Sequence, residues 1–137
     1  MDPLTPLPLL RILVVEDSLD AAEPLGLVLE YCGATVRLAH SVAQALGVLT
    51  TWTPDIIVTD IGMPKEDGYD FVRQLRALAT PLSRLPVIAV TAFEEEEHRR
   101  RALASGFHMH LAKPVNLREL TYAIALLTGL GADTDEA

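Results

Sequence analysis

The sequence predicts a single α/β domain built on a doubly wound, five-stranded parallel sheet with five helices. Short β-branched or apolar runs alternate with amphipathic stretches five times along the chain. The first, third and fourth of these runs, "ILVV", "DIIV" and "PVIAV", are apolar on both faces, as strands covered by helices on both sides must be. The length of 137 residues, half of them apolar, is one domain's worth of material and buries roughly 68% of the unfolded surface without disulfides.

Each element follows from local signals. Residues 1–10, "MDPLTPLPLL", hold three prolines and are expected to form a Pro-rich arm. The domain is expected over 11–128, opening with the strand "RILVVED". In the first helix Leu25, Val28, Leu29 and Cys32 recur at helical spacing; an Asp20–Glu23 capping box would start it near Asp20, and Gly33 ends it. "ATVRLA" is the second strand, and Ser41 with Gln44 opens a second helix carrying Val42, Ala45, Leu46 and Leu49. After the third strand, "DIIVTD", Phe71, Leu75 and Leu78 mark the inner side of a third helix. The fourth strand is "LPVIAVTA". A polar helix at 94–105 follows, resting on little more than Ala102 and Leu103, with Gly106 as its stop. "FHMHLAK" is the fifth strand, and Asn116 with Glu119 caps a last helix with Leu117, Leu120, Ile124 and Leu127 on its inner face. The acidic tail at 129–137 is expected to fray.

Bulk chemistry excludes several classes. A net charge of −8 with no basic face argues against a direct nucleic-acid partner. No apolar run reaches the ~18 residues of a membrane span. The lone Cys32 cannot form an internal disulfide, and no secretion signal is visible, so the expected location is cytoplasmic.

In parallel α/β sheets ligands bind beyond the carboxyl ends of the strands, so the residues found there form a set. These are Glu16 and Asp17 after the first strand, Asp60 after the third, Thr91 after the fourth and Lys113 after the fifth. Two carboxylates ~5 Å apart repel by about 3 kcal/mol at an effective dielectric of 20, so three together call for a cation. An oxygen-only cluster partly open to water suits Mg²⁺.

The segments "VVED", "DIGMPKEDG", "AVTA" and "LAKP", in this order and at these separations, resemble the receiver domain of two-component response regulators, the CheY-like family, over residues 11–127. The resemblance implies a flavodoxin-like sheet in the order 2-1-3-4-5 and a cis bond before Pro114. It implies that Asp60 accepts a phosphoryl group from a sensor histidine kinase or a histidine phosphotransfer protein, and that Glu16, Asp17, Asp60 and the backbone carbonyl of Gly62 hold Mg²⁺. Thr91 and Lys113 would bind the phosphoryl oxygens, and Thr91 with His110 would form the switch. Downstream targets would meet a surface made by the helix at 94–105, the fifth strand and the last helix. The chain would then be a signalling phosphoprotein rather than an enzyme acting on a separate substrate.

Other residues have plainer explanations. Asp67 and Asp70 lie past the strand end and suit a helix cap, Cys32 and Trp52 suit packing, and "EEEEHRRR" suits a solvated helix with acids at its positive end. A covalent phosphohydrolase of the haloacid-dehalogenase type would carry a second Asp where Gly62 stands. A phosphorylation-independent binding module of the same fold would usually lack one of the acids or the lysine. With 137 residues, no output domain is expected beside the receiver, and the expected identity is a freestanding regulator or a receiver cut from a hybrid histidine kinase. Gly62 and Phe93 lack the carboxylate or amide groups that assist dephosphorylation in some relatives, so phosphate loss is expected to be slow. Gly62→Asn combined with Phe93→Glu should speed decay of the phosphorylated chain; an unchanged decay rate contradicts this.

Overall fold

The computed structural model describes residues 4–61, 67–91 and 106–130. Five parallel strands form one sheet in the order β2-β1-β3-β4-β5: β1 Arg11–Val15, β2 Thr35–Ala39, β3 Ile56–Asp60, β4 Val87–Thr91 and β5 Met109–Ala112. This is the flavodoxin-like order. The helices among the described residues are α1 Leu19–Tyr31, α2 Val42–Leu49, α3 Gly68–Arg76 and α4 Leu117–Thr128, with a 3-10 turn at Leu82–Arg84. The helix expected at 94–105, Gly62, Phe93 and the tail from 131 lie outside the described residues.

Strand alternation sorts the core into two layers. Leu13, Val15, Ile57, Val87 and Ala89 cluster with Val42 and Leu49 of α2 and Phe71 and Leu75 of α3. Ile12, Val14, Val58, Ile88 and Val90 cluster with Leu29 of α1 and Leu120 and Ile124 of α4. Because β1, β3 and β4 supply both layers, their apolar runs are continuous. Edge strand β2 is only partly buried and alternates.

Caps set where the helices begin. Ser41 Oγ accepts from Gln44 N at 3.0 Å, and Asn116 Oδ1 accepts from Glu119 N at 3.0 Å, as their spacing predicts. Asp67 and Asp70 form a reciprocal box at the start of α3, with bonds of 3.0 and 3.1 Å. Helix α1 departs from expectation. It starts at Leu19 with Ser18 at the N-cap, and no Asp20–Glu23 box forms. The Ser18 amide donates instead to Glu16 Oε2 at 3.1 Å, so a carboxylate of the preceding strand takes the capping role. Its buried face is also shifted, to Ala22, Gly26 and Leu29. An added Cβ on Gly26 would lie 3.3 Å from Leu38 Cδ2, a sign of how closely α1 rides on β2.

Helix α3 ends at Arg76, so Leu78 falls past the helix and is partly exposed, while Tyr69 and Val72 join Phe71 and Leu75 inside. Arg76 donates to the carbonyls of Ser83, Leu85 and Gly106 at 3.1, 2.7 and 2.7 Å. One guanidinium thus ties the end of α3 to the approaches of β4 and β5.

The Pro-rich arm is docked rather than extended. Leu7 is fully buried, its amide donates to Cys32 O at 2.7 Å, and Leu9 N donates to Gly33 O at 3.0 Å. Gly33 has φ +106°, and a Cβ there would sit 3.2 Å from Pro8 Cα, so both the helix stop and the passage of the arm require glycine. The Lys113–Pro114 bond is cis, and Thr80–Pro81 is a second cis bond that the sequence did not signal. Cys32 and Trp52 both pack as partly buried groups, Trp52 with the Arg37 guanidinium 4.7 Å from its ring centre.

Candidate functional site

Three strands end on charge at one edge of the sheet, and alternation aims those charges the same way. Glu16 continues β1 on the face of Ile12 and Val14, its amide bonded to Ala39 O at 2.9 Å. Asp60 closes β3 on the face of Ile56 and Val58, and Lys113 follows β5 on the face of Met109 and Leu111. Lys113 Nζ lies 3.3 Å from both Glu16 Oε1 and Asp60 Oδ1. Glu16, Asp17 and Asp60 each offer an oxygen within 4.8 Å of the others, with Glu16 and Asp60 buried and Asp17 exposed.

The residues around the site explain its shape. The Gly68 amide donates to Ile61 O at 2.9 Å, bringing the start of α3 directly onto the end of β3. A Cβ at Gly68 would lie 2.8 Å from Asp60 O and 2.9 Å from Ile61 Cα. The glycine eight positions after Asp60 is therefore a steric requirement of the strand end that carries the acid. Lys113 N donates to Thr91 O at 2.8 Å, so the β4–β5 ladder extends to the lysine and sets its backbone. Thr91 is buried, paired in register with the small Ala112, and His110 sits two residues earlier on β5 opposite Ala89. Alternation puts Thr91 and His110 on one face as diagonal neighbours. The structure thus gathers Glu16, Asp17, Asp60 and Lys113, while Thr91 closes β4 and His110 lies on β5, both on the face of Val87 and Ala89. Gly62 lies outside the described residues.

Electrostatically the cluster is nearly balanced before desolvation and unfavourable after it. At an effective dielectric of 20, each Lys113 attraction at 3.3 Å is worth about 5 kcal/mol and each carboxylate repulsion about 3 kcal/mol, so two attractions roughly offset three repulsions. Burial then decides. Desolvation, aided by the charge of Asp60, raises the Glu16 pKa above its ordinary 4.5 even though the Ser18 amide and Lys113 pull it down. Burial alone would depress Lys113, but Asp60 and Glu16 outweigh it and hold the ammonium above its usual range. An oxygen-only donor set, partly open to water and short of positive charge, could hold a hard divalent cation.

Sequence reasoning did not anticipate a cavity of about 610 Å³ beside the cluster, walled by Val14, Leu25, Val58, Val90 and Val115 with Glu16, Asp60 and Lys113 at its polar end. Ala21 and Pro24 of α1 complete its wall on the helix side. The Gly68 contact and the Ser18 bond were equally hidden, since neither can be seen without the fold.

A doubly wound α/β domain whose strand ends present an acidic triad closed by a lysine defines the class of protein. Residues 12–125 match the response regulator receiver domain, and the chain belongs to that family, the receiver domains of two-component systems. It is 41% identical over 109 residues, 80% of this chain and 82% of the relative, to an uncharacterized 14.6 kDa protein of Leptolyngbya boryana. It is 38% identical over 128 residues to the response regulator MprA of Mycobacterium ulcerans, covering 93% of this chain; the chain spans 54% of that relative's length. Among solved structures, it resembles a putative response regulator from Chloroflexus aurantiacus (TM-score 0.82, 31% identity, 88% of this chain and 98% of that one). It also resembles the signal receiver domain of a signal transduction histidine kinase from Syntrophus aciditrophicus (TM-score 0.80, 31% identity, 88% and 90%). Among the described residues no helix is long and apolar enough to cross a membrane.

The raised Glu16 pKa gives a pH dependence with a definite sign. Between pH 4.5 and the folded pKa of Glu16 the folded chain binds more protons than the unfolded one, so this contribution falls as pH rises through that window. Urea unfolding of the metal-free protein should show Glu16→Gln gaining stability relative to wild type as pH rises above 4.5. Parallel stability profiles for the two proteins would contradict the account.

Proposed function

We propose that this chain is a phosphoacceptor switch, with Asp60 receiving a phosphoryl group from the phosphohistidine of a sensor histidine kinase or a histidine phosphotransfer protein. The observation that carries this reading is the joint placement of Asp60 Oδ1 3.3 Å from Lys113 Nζ and within a shared 4.8 Å cluster with Glu16 and Asp17. In the transfer, an Asp60 carboxylate oxygen attacks phosphorus, the P–N bond breaks with its electron pair going to the imidazole, and an acyl phosphate remains. Asp60 needs no general base, because a carboxylate is already the nucleophile. Lys113 reaches the space in front of Asp60 and offsets charge on the phosphoryl oxygens. The Thr91 hydroxyl donates to one of those oxygens.

Mg²⁺ is the cation the donor set suits best, held by Glu16, Asp17, Asp60 and the Gly62 carbonyl, and when bound it supplies charge neutralisation to the transferring group. Glu16 is preset for this by the Ser18 amide, which orients its carboxylate from below.

Phosphorylation adds charge and acceptor oxygens at the end of β3, drawing Thr91 toward them. His110, the diagonal neighbour of Thr91 on β5, then repacks, and the change is displayed on the surface of β5 and α4. Exposed Tyr122 and Leu126 on α4 provide apolar contact there for a protein target. On this reading the domain occupies 11–128 and works in the cytoplasm. It is the acceptor of a transfer rather than an enzyme with a separate substrate, and it makes no direct contact with nucleic acid.

The test is intact-protein mass spectrometry after incubation with acetyl phosphate. Wild type with Mg²⁺ should gain the mass of one phosphoryl group, while Asp60→Asn with Mg²⁺ and wild type with chelator should not. Equal labelling of Asp60→Asn, or none of wild type, contradicts the reading.

A further inference from the structure

We propose that His40 is a positioning residue for the acidic pair, its ring Nδ1–H replacing the ladder donor that β2 ceases to supply where β1 ends in Glu16 and Asp17. In a parallel ladder a residue donates to one partner and accepts from the residue two further along. Glu16 N donates to Ala39 O at 2.9 Å, so the matching donor to Glu16 O would be the amide of Ser41. Ser41, however, is the N-cap of α2, where the chain leaves the sheet with its hydroxyl turned to Gln44 N. Among the described residues no backbone amide donates to Glu16 O. The His40 ring fills the place, with Nδ1 3.1 Å from Glu16 O. A carbonyl oxygen only accepts, so the proton of this bond sits on Nδ1.

The ring is itself held. His40 N donates to Gln44 Oε1 at 2.7 Å, so the first turn of α2 grips the residue from behind while its side chain reaches forward to β1. The Glu16 peptide is then fixed at its amide by β2, at its carbonyl by His40 and at its carboxylate by the Ser18 amide and Lys113. The peptide whose carbonyl His40 holds links Glu16 directly to Asp17, whose exposed side chain has no core packing to orient it. A free rotation of that peptide would move the Asp17 oxygen relative to those of Glu16 and Asp60. His40 therefore acts through the backbone on the geometry of the cation site, which is where this inference rests on the proposed function.

The test compares Mg²⁺ affinity by calorimetry for wild type, His40→Leu, which keeps bulk without a donor, and His40→Asn, whose side-chain amide places an N–H near the Nδ1 position. Thermal unfolding without metal is followed in parallel. His40→Leu should bind Mg²⁺ about tenfold more weakly, and His40→Asn should recover most of the loss. Leu and wild-type proteins of equal affinity overturn the assignment, as do Leu and Asn variants weakened alike. A wild type that takes up no Mg²⁺ overturns the cation reading and this inference with it. Should His40→Leu fail to fold, NMR of the wild-type ring decides: a proton on Nδ1 protected from exchange is expected, and an unprotonated Nδ1 overturns the proposal.

Discussion

Three carboxylates and one ammonium share a space that folding partly closes to water, and the rest of this domain is arranged to hold them there. Nothing local favours the arrangement. Glu16 and Asp60 are buried, Lys113 is the one ammonium or guanidinium paired with them among the described residues, and the cost shows in the raised pKa of Glu16. A cluster of this kind persists because the surrounding structure over-determines it. β1 and β3 pair with each other and are flanked by β2 and β4, and the ladder continues past the formal strand ends through Glu16 N to Ala39 O, Ile61 N to Val90 O and Lys113 N to Thr91 O. The favourable energy lies in the two apolar layers, where Ile12, Leu13, Ile57 and Ile88 are fully buried, and it outweighs the electrostatic penalty at the sheet edge.

Backbone contacts, more than side-chain packing, connect the fold to the site. Gly68 lets α3 begin in contact with Asp60 O, Ser18 caps α1 through the carboxylate of Glu16, and His40 bridges α2 to the Glu16 carbonyl. Each of the first three helices is thereby tied at its N-terminus to a residue of the acidic cluster.

Much of this was legible in the chain. The apolar runs of β1, β3 and β4 identify a sheet covered on both faces, and Ser41–Gln44, Asn116–Glu119 and Gly33 mark helix ends through local bonds that spacing alone predicts. The strand-terminal acids and Lys113 could be grouped because parallel strands deliver their ends to one edge. What stayed hidden depends on partners distant in sequence. Leu7 enters the core because the arm pairs with Cys32 and Gly33, and Leu78 stays out because α3 stops at Arg76, whose contacts lie beyond the helix. The start of α1 near Asp20 was legible but its cap was not, because the Ser18 amide bonds to a glutamate that follows the preceding strand, while Asp20 and Glu23 carry the usual capping pattern without using it. His40 gave no signal at all, since its role appears only once β2 is seen to leave the sheet.

The central claim is that the acids at the strand ends are held in repulsion for a divalent cation. Urea unfolding of wild type and Asp60→Asn, with and without Mg²⁺, tests it most directly. Without metal the Asn variant should be at least as stable as wild type, because one of the repelling charges is gone; Mg²⁺ should stabilise wild type strongly and the variant much less. A wild type indifferent to Mg²⁺, or a variant that loses stability without metal and gains as much from it, would contradict the account.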